Sequence, residues 1–371
     1  MRVWRKALAL LAAVCLLPLH AGAAGAPAVS AASAILVDGE SGRVLYEKDA
    51  HARRSIASTT KLMTALVVMD RCRDLGEVVE VLEEDTRTEG SSMYLRAGDQ
   101  VTVEELLYGL LLSSGNDAAL VLARRFGGSV EGFAALMNEK AAELGMADSS
   151  FANPNGLEEE GHWSTAADMA KLGAACLEDE TIAKIVSTPS ISLGGRYLTN
   201  HNKLLGLCEG CMGLKTGYTE KAGRTLVSAV RREGQLLICV TLQDPDDWDD
   251  HMALYDYGSA AYPRQVLVEA GARTATLPVT GSLVPAVEVE TADAVAYPLA
   301  EGERPRVEIH LPEGAVAAPL EREVPVGELH FYLDGELIGK TDLVYSASVR
   351  RDAAPPPPLR RLWDRLTGGG G

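Results

Sequence analysis

The sequence lacks several features that define large classes of proteins. Basic residues are too few to balance the acidic ones, 35 against 52, so the formal net charge is −17. No Lys/Arg-rich block occurs outside the two termini, so charge does not favour binding to nucleic acid. Internal repeats are also missing. Apolar residues recur with helical and strand spacing from Ala34 to about Val349, which predicts a folded protein and excludes low-complexity disorder over most of the chain.

Long hydrophobic runs are scarce, and the clearest one lies at the N-terminus. A positively charged start precedes an apolar stretch of 13 residues, Ala7 to Leu19, which Pro18 interrupts. This stretch is too short to span the roughly 30 Å hydrocarbon layer of a membrane. With the small residues that follow, it is typical of a secretory signal peptide. We expect cleavage at about residue 26 and an exported, extracytoplasmic protein; an uncleaved anchor is the alternative.

Cysteines are few, and their number is odd once the signal peptide is removed. The five that remain are Cys72, Cys176, Cys208, Cys211 and Cys239. Cys208 and Cys211 are compatible with a local disulfide, with a metal site that includes His201, or with two plain thiols. A zinc site normally needs four ligands, and no second Cys or His pair stands at the usual spacing. We therefore expect no metal and no other cofactor.

The order of predicted elements indicates an α+β domain. Two strands around a turn are expected at Ile35–Val37 and Val44–Tyr46, and a second hairpin at Thr225–Val230 and Leu236–Leu242. Helices are expected between them, one of them from Ser58 to Cys72 and another after a capping box that begins at Thr102. Strands that open and close such a region commonly share one antiparallel sheet.

The character of the chain changes after Pro263. Short β-branched runs between Gly/Pro turns continue to about Val349 and predict an all-β module. We therefore divide the chain into a signal peptide (1–26), a large domain (27–262), a small β-sandwich domain (263–352), and a Pro-rich spacer with a short tail (353–371).

The tail has the pattern of a short amphipathic helix. Its apolar residues recur at i, i+3, i+4 and i+7 with arginines between them; they are Leu359, Leu362, Trp363 and Leu366. This arrangement predicts weak peripheral contact with an anionic membrane surface. A frayed tail or a helix that docks on a protein partner are the alternatives.

Three short motifs carry the predicted chemistry. They are Ser58-Thr59-Thr60-Lys61, Ser114-Gly115-Asn116 and Lys215-Thr216-Gly217. Each motif is weak alone, since its ordinary interpretation is a helix terminus or a turn. The chain contains one example of each, however, in the order that active-site serine penicillin-recognising enzymes require.

The first motif predicts a nucleophile and its base. A serine at the start of a helix and a lysine three residues later share one face, so Lys61 can accept the hydroxyl proton of Ser58. For this role Lys61 must be neutral, which requires its pKa to fall by about 3 units. Burial and the positive charge of Lys215 both act in that direction. The alternative keeps Lys61 protonated and uses Ser114 as the proton relay.

The other two motifs predict substrate contacts. A loop between two helices can project Ser114 and Asn116 into a cleft, the hydroxyl for proton relay and the amide for the substrate's peptide group. The third motif is expected to precede a strand. Gly217 there allows close approach of a substrate to the strand edge, while Lys215 and Thr216 are expected to bind a peptide's C-terminal carboxylate.

The sequence resembles the low-molecular-mass penicillin-binding proteins, the D-alanyl-D-alanine carboxypeptidases of the DacA/DacF type in peptidase family S11. Beyond the three motifs, the similar segments are Gly98-Asp99, Phe151 to Leu157, Ser164 to Ala170, Asn202 to Leu205 and Thr219 to Gly223. Asn155 stands where the family often has His, and Tyr218 stands where some members have His.

The resemblance implies a fold, an activity and a site. The fold is a β-lactamase/transpeptidase-like domain, an antiparallel sheet with helices on both sides and a helical subdomain, followed by a small all-β domain. The activity is removal of the terminal D-alanine from peptidoglycan stem pentapeptides through a Ser58 acyl-enzyme, which β-lactam antibiotics inhibit covalently. The implied oxyanion hole uses the backbone N–H groups of Ser58 and Tyr218.

Three other functions remain alternatives. A DD-endopeptidase or transpeptidase uses the same acylation machinery with a different acceptor. A class A β-lactamase needs a Glu-x-x-x-Asn stretch between the second and third motifs, and none occurs between Asn116 and Lys215. A non-catalytic cell-wall scaffold has no need for the intact motif residues.

Overall fold

The computed structural model describes residues 25–352. The predicted signal peptide up to residue 24 and the predicted tail at 353–371, with its proposed membrane-contacting residues, lie outside the described residues. Within the described part of the chain, no helix has the length and apolar character needed to cross a membrane.

The large N-terminal region combines strands and helices. Its strands are β1 (Ser33–Asp38), β2 (Val44–Lys48), β3 (Val78–Glu80), β4 (Gln100–Thr102), β5 (Ser190–Leu193), β6 (Arg196–Thr199), β7 (Cys211–Thr219), β8 (Gly223–Arg232) and β9 (Gln235–Leu242). Its α-helices are α1 (Lys61–Arg71), α2 (Val103–Leu111), α3 (Asn116–Gly127), α4 (Val130–Glu143), α5 (Ala166–Glu178), α6 (Glu180–Val186), α7 (Leu204–Leu207) and α8 (Asp247–Ala261). Two 3-10 turns lie at Ala57–Thr60 and Glu83–Thr86.

One antiparallel sheet organises this region. Five strands pair in the order β2-β1-β9-β8-β7, so the strands that open and close the region share one sheet, as the sequence predicted. Helix α5 packs on one face, where a large apolar core continues through α1 to α6, and α8 packs on the other face. Strand β7 is an edge strand, and its outer side faces the 3-10 turn that contains Ser58.

Side chains cap the starts of two helices, and one of these caps was predicted. The side chain of Thr102 accepts from Glu105 N while the Glu105 carboxylate accepts from Thr102 N, which completes the predicted capping box. Ser129 caps α4 by accepting from Gly132 N. Helix α2 ends at Leu111 and α3 begins at Asn116, so the second motif joins these two helices and its last residue is the first of α3.

The C-terminal region is all-β, as predicted. Its strands are β10 (Arg264–Val268), β11 (Arg273–Thr280), β12 (Ala286–Thr291), β13 (Val295–Pro298), β14 (Arg306–His310), β15 (Val316–Ala317), β16 (Pro325–Leu333) and β17 (Glu336–Tyr345). Six of them pair in the order β14-β16-β17-β12-β11-β15, and β10 pairs with β13. A separate apolar core that includes Val289, Phe331 and Leu343 holds this module together.

Candidate active site

Ser58 lies in a tight turn just before a helix. The predicted helix from Ser58 is confirmed from Lys61 onwards, but its first turn is a 3-10 turn at Ala57–Thr60. Ala57 has a φ of 47°, which is uncommon for a residue with a side chain. Gly156 packs so closely that a Cβ at its position would overlap the carbonyl oxygen of Ala57. The loop around Gly156 therefore supports the turn that presents Ser58.

Lys61 and Ser58 are in direct contact. The distance from Lys61 Nζ to Ser58 Oγ is 2.9 Å. Nζ also donates to Asn116 Oδ1 at 2.7 Å and to the backbone carbonyl of Asn155 at 2.6 Å. Three acceptors satisfy an ammonium group. If the amine is neutral, two N–H bonds still serve Asn116 and Asn155, and its lone pair is left to accept the proton of Ser58.

The environment of Lys61 disfavours its charge. The side chain is fully buried, and this burial lowers the pKa of Lys61 well below its ordinary value. The positive charge of Lys215 lowers the pKa further, while the carboxylate of Asp117 opposes the shift. These are the two causes that the sequence predicted for a neutral base.

Ser114 has a hydroxyl without a partner in the described part of the chain. The residue links α2 to α3 with a φ of 59°, and its Oγ is buried with no hydrogen bond. A buried hydroxyl normally has a partner, so an unpaired one in a cleft requires an explanation. Ser114 also lines the cleft that contains Ser58, where a substrate group or a water molecule can supply the missing partner.

Asn116 is already engaged within the protein. Its Oδ1 accepts from Lys61, and its Nδ2 donates to the Glu89 carbonyl at 2.6 Å. The backbone N–H of Asn116 also donates to Ser91 O at 2.8 Å. The side chain thus orients Lys61 and connects it to the loop before residue 92. Its predicted contact with the peptide group of a substrate stays a prediction.

The third motif lies inside a strand. Lys215, Thr216 and Gly217 belong to β7, so the expectation that they precede a strand was wrong. Lys215 is 1% exposed and donates to Thr216 O at 2.9 Å. Burial lowers the pKa of Lys215 to about 7. Its charge is therefore sensitive to pH in the neutral range.

Gly217 brings the edge of β7 against the turn of Ser58. A Cβ on Gly217 would overlap Thr225 Oγ1 and lie 2.9 Å from Ser58 N. The absence of a side chain is thus a steric requirement at this position. The contact brings the backbone of β7 beside the N–H of Ser58, and Tyr218, whose side chain is 66% exposed, follows directly. This arrangement suits the predicted oxyanion hole.

Sequence reasoning missed several groups at the cleft. The walls also include Ser91, His201, Lys203, Arg224, Asp247 and Trp248. Burial and the charges of Lys215 and Lys61 lower the pKa of His201. Arg224 lies in β8, one residue before the predicted second hairpin begins, and its sequence context gave no sign of a position in the cleft. Asp247 and Trp248 begin α8, a helix that the sequence analysis did not predict.

The carbonyl of Asn155 was also missed as a contact of Lys61. The surrounding segment was recognised by resemblance, and Asn155 was noted as a departure from the family pattern. Its side chain accepts from Leu157 N at 3.0 Å and shapes the turn, while its backbone carbonyl binds Lys61. A backbone contact of this kind does not depend on the identity of the side chain.

His162 supports the base from the other side of the turn. Its Nδ1 accepts from Ala152 N at 3.1 Å, which leaves Nε2–H to donate to Thr60 Oγ1 at 2.8 Å. Burial lowers the pKa of His162 to about 4, so the ring is neutral at physiological pH. This neutral contact links the Asn155 loop to the residue before Lys61.

The cysteines take no part in this cleft. All five in the described residues carry free thiols, and Cys208 and Cys211 lie where α7 leads into β7. Within residues 25–352, no group of three or more His, Cys, Asp or Glu side chains is arranged to hold a metal ion.

The arrangement suits acyl transfer. It combines a hydroxyl nucleophile, a buried amine in contact with it, an unpaired hydroxyl for proton relay, and an open strand edge beside the nucleophile. Asp168 lies outside this group, because it accepts from Asp148 N and Ser149 Oγ and pairs with Lys171.

Comparisons with known proteins support the same conclusion. A family model described as D-alanyl-D-alanine carboxypeptidase matches residues 20–246, and a second, the C-terminal domain of penicillin-binding protein 5, matches residues 262–351. D-alanyl-D-alanine carboxypeptidase DacF of Bacillus subtilis is 31% identical over 337 residues, 86% of each chain. The structure of PBP3 from Streptococcus pneumoniae, a peptidoglycan synthesis regulatory factor, has a TM-score of 0.77 at 26% identity and covers 87% of this chain and all of its own.

A third relative differs in its named activity. A mutant of the Streptomyces K15 DD-transpeptidase matches with a TM-score of 0.61 and 31% identity, covering 63% of this chain and 99% of its own. The family match, the fold and the assembled motifs agree. The chain therefore belongs to the D-alanyl-D-alanine carboxypeptidase family, and it is a serine-type D-Ala-D-Ala carboxypeptidase.

Proposed function

We propose that Ser58 attacks the carbonyl carbon of the penultimate D-alanine in a peptidoglycan stem peptide, with neutral Lys61 as the base. The Ser58 Oγ–carbon bond forms, the amide C–N bond breaks, and the hydroxyl proton passes to Lys61 Nζ. Ser114 relays this proton to the amine of the departing D-alanine. Water then hydrolyses the ester, which releases the shortened peptide and returns the proton to Ser58.

The observation that carries this proposal is the 2.9 Å contact between Lys61 Nζ and Ser58 Oγ. It combines a hydroxyl in the cleft with an amine whose charge is suppressed by burial. The contacts of Lys61 with Asn116 and Asn155 fix the direction of the amine. Such orientation is required because proton transfer needs heavy atoms within hydrogen-bond distance.

Substrate alignment uses the edge of β7. An extended peptide can add to an open strand edge by main-chain hydrogen bonds, and β7 is an edge strand whose Gly217 lies against Ser58. In this pose the scissile carbonyl faces the N–H groups of Ser58 and Tyr218. Thr216 lines the same cleft and offers its hydroxyl to the terminal carboxylate.

Arg224 supplies the accessible positive charge for that carboxylate. Lys215 is buried, with a pKa of about 7, and so is only partly charged at neutral pH. Arg224 lines the cleft with a side chain 40% exposed, stays charged, and is held by Asp247 Oδ1 at 2.5 Å and by the face of Trp248. Charged Lys215 lowers the pKa of Lys61 and also attracts the carboxylate, while Arg224 adds a positive charge that persists when Lys215 is neutral.

The test compares two serines by acylation. Ser58→Ala is expected to abolish labelling by a fluorescent penicillin and release of D-alanine from a diacyl-D-Ala-D-Ala peptide. Ser282→Ala, in the β module, is the matched control and is expected to label like the wild type. Intact mass after incubation with penicillin should show one adduct, mapped by digestion to the peptide that contains Ser58. Undiminished labelling of Ser58→Ala contradicts the proposed nucleophile.

Transpeptidation is the second candidate, because the acyl-enzyme is the same and one relative is named for it. An amine acceptor then attacks the ester in place of water. Adding a D-amino acid or glycine during turnover of the diacyl peptide distinguishes the two reactions. A carboxypeptidase yields mainly the hydrolysed peptide, whereas a transpeptidase yields mainly the product joined to the acceptor.

Export, domain division and membrane contact complete the proposal. The N-terminal sequence supports export by a signal peptide, and the change of architecture near residue 262 supports the division into two domains. The tail pattern supports peripheral attachment through Leu359, Leu362, Trp363 and Leu366. Deletion after Pro358 is expected to move the protein from the membrane fraction to the soluble exported fraction; an unchanged distribution contradicts the attachment.

A further inference from the structure

A second groove lies next to the catalytic cleft. It encloses about 620 Å³ between the loop at residues 92–101 and the β5–β6 hairpin, with Ser113 at its floor. We call it the tyrosine groove, because Tyr94 on the loop and Tyr197 on the hairpin both line it. None of the residues proposed for the reaction lines it.

The tyrosine groove adjoins the catalytic cleft. Ser91 and Ser114 line the cleft, and their chain neighbours Ser92 and Ser113 line the groove. The two spaces therefore lie on either side of the same two short segments of chain, so a ligand longer than the cleft has the groove as an adjacent site.

The loop wall of the groove is held by the residue that follows the second motif. Asp117, in the first turn of α3, accepts from Ser92 Oγ at 2.6 Å and from the backbone N–H groups of Met93 and Leu95 at 3.0 Å each. The hairpin wall is tied to the loop by Arg196, whose Nη2 lies 2.6 Å from Asp99 Oδ2. Both walls are thus fixed before any ligand binds, which reduces the entropy lost on binding.

The two tyrosine rings contribute little to the protein core. Tyr94 is 82% exposed and Tyr197 is 71% exposed. Tyr94 also has a φ of 62°, an outlier for a bulky residue, and its N–H donates to Ser92 Oγ at 2.8 Å. A strained backbone at a residue whose side chain does not pack in the core suggests that function constrains this residue. A large flat ring with a polar tip is suited to contact a ligand that has both apolar and polar faces.

We propose that the tyrosine groove binds the saccharide to which the stem peptide of the substrate is attached. This inference rests on the proposed function. Sugar rings present C–H faces that stack on aromatic rings and hydroxyl and acetamido groups that bind polar side chains, and Ser92, Gln100 and Ser113 supply such groups here. Arg196 is paired with Asp99, and Arg96 adds one further charged side chain to the lining, so the two aromatic rings and the neutral polar groups, not charge, are the features that favour a sugar.

The length of the substrate agrees with this placement. Four residues separate the scissile bond from the sugar, and an extended chain spans about 3.3 Å per residue. The saccharide therefore begins roughly 13 Å from the carbonyl that Ser58 attacks. It lies beyond the immediate contacts of Ser58, in a space adjoining the cleft.

The experiment measures binding without turnover. In a Ser58→Ala background, the dissociation constants of a synthetic pentapeptide and of the same pentapeptide on its N-acetylglucosaminyl-N-acetylmuramyl disaccharide are compared by calorimetry. We expect the disaccharide to tighten binding about tenfold. Tyr94→Ala with Tyr197→Ala is expected to remove this gain and leave the free pentapeptide unchanged. The matched pair Tyr94→Phe with Tyr197→Phe should keep most of the gain, because the rings remain.

Two results overturn the inference. One is an equal affinity for the two ligands when the groove is intact. The other is an equal loss of affinity for both ligands in the alanine pair, which would assign the groove to the peptide instead. Hydrolysis of the free pentapeptide is measured separately with Ser58 present. If the protein with Ser58 does not hydrolyse the free pentapeptide, the proposed function is contradicted. The binding comparison tests the groove without catalysis.

Discussion

The large region and the β module differ in what they bury. The large region encloses Lys61, Lys215, Asp117 and His251 almost completely. In the described part of the β module, the buried polar side chains are only Thr291 and Thr341, and its charged pairs are exposed or partly exposed. Burying an ionisable group is costly unless its charge is lost or paired. Lys61 and Lys215 bear this cost where the proposed chemistry needs an uncharged amine, whereas Asp85 and His251 are buried elsewhere in the same region.

The largest expected effect comes from replacing Lys61 of the large region, with replacement of Lys340 in the β module as the comparison. Lys61→Ala removes the base and is expected to slow acylation by penicillin about 10²- to 10⁴-fold, the usual contribution of a positioned base. Lys340→Ala removes an exposed ion pair with Glu328 and is expected to leave the rate unchanged. The measurement is the second-order rate of penicillin labelling. Similar labelling rates for both variants would show that the buried Lys61 is not the base for acylation.

A core substitution in the β module should affect stability alone. Phe331 is 3% exposed in the apolar core of the module. Phe331→Ala leaves a cavity and is expected to destabilise the module by about 3–5 kcal/mol. Chemical denaturation reports this loss, while the acylation rate below the unfolding transition should stay within a factor of two of the wild type. A large drop in that rate would show that the module shapes the active site.

The pH dependence of peptide turnover should reveal both buried lysines. At the acidic end of the profile, kcat/KM is expected to rise with pH as Lys61 loses its proton, because burial lowers its pKa and only the neutral amine accepts from Ser58. Above about pH 7 it should fall as Lys215 loses its charge, since its pKa lies near that value. The expected decline is about tenfold per pH unit at most. The measurement is a kcat/KM profile from pH 5 to 10.

Lys215→Arg is the control for the alkaline limb. A guanidinium keeps its charge over this range, so the variant should retain its activity above pH 7, even if its overall rate is lower. An unchanged alkaline limb in this variant would assign the decline to a group other than Lys215.

Much of this arrangement is predictable from residue type and spacing. Four of the five strands of the sheet, β1, β2, β8 and β9, follow from short apolar runs, and the capping box at Thr102 follows from its side chains alone. Because Ser58 and Lys61 are close in sequence, their contact is a local consequence of one turn. The position of β7 beside Ser58 is not local, and the resemblance to a family made that expectation possible.

The contacts that the sequence did not reveal depend on the backbone or on distant partners. The carbonyl of Asn155 reaches Lys61 across 94 positions, and a carbonyl has no signature in the sequence. Lys215 to Gly217 were expected to precede a strand and not to lie within one, because glycine weakens a strand pattern. Their place inside β7 is instead set by pairing with β8 and by the close approach to Ser58. Helix α8 was not predicted because its first turn is acidic and its apolar residues are not gathered on one face of the helix.

The smallest expected effect concerns the link between the two regions. Arg43, between β1 and β2, binds both carboxylate oxygens of Glu303 and the carbonyl of Pro298, and its guanidinium lies 5.0 Å from the ring centre of Tyr262. A paired, half-buried contact of this kind contributes about 1 kcal/mol. Arg43→Ala should therefore leave acylation unchanged and lower the stability of the interface by about that amount.

Calorimetry can show whether this link couples the two regions. If Arg43 makes them unfold together, Arg43→Ala should split or broaden a single transition, and Glu303→Gln should act in the same way but less strongly, since it keeps one acceptor for the guanidinium. Two separate transitions already present in the wild type would contradict the coupling. In that case the regions are thermodynamically independent, and the differences in what they bury reflect two cores that are stabilised separately.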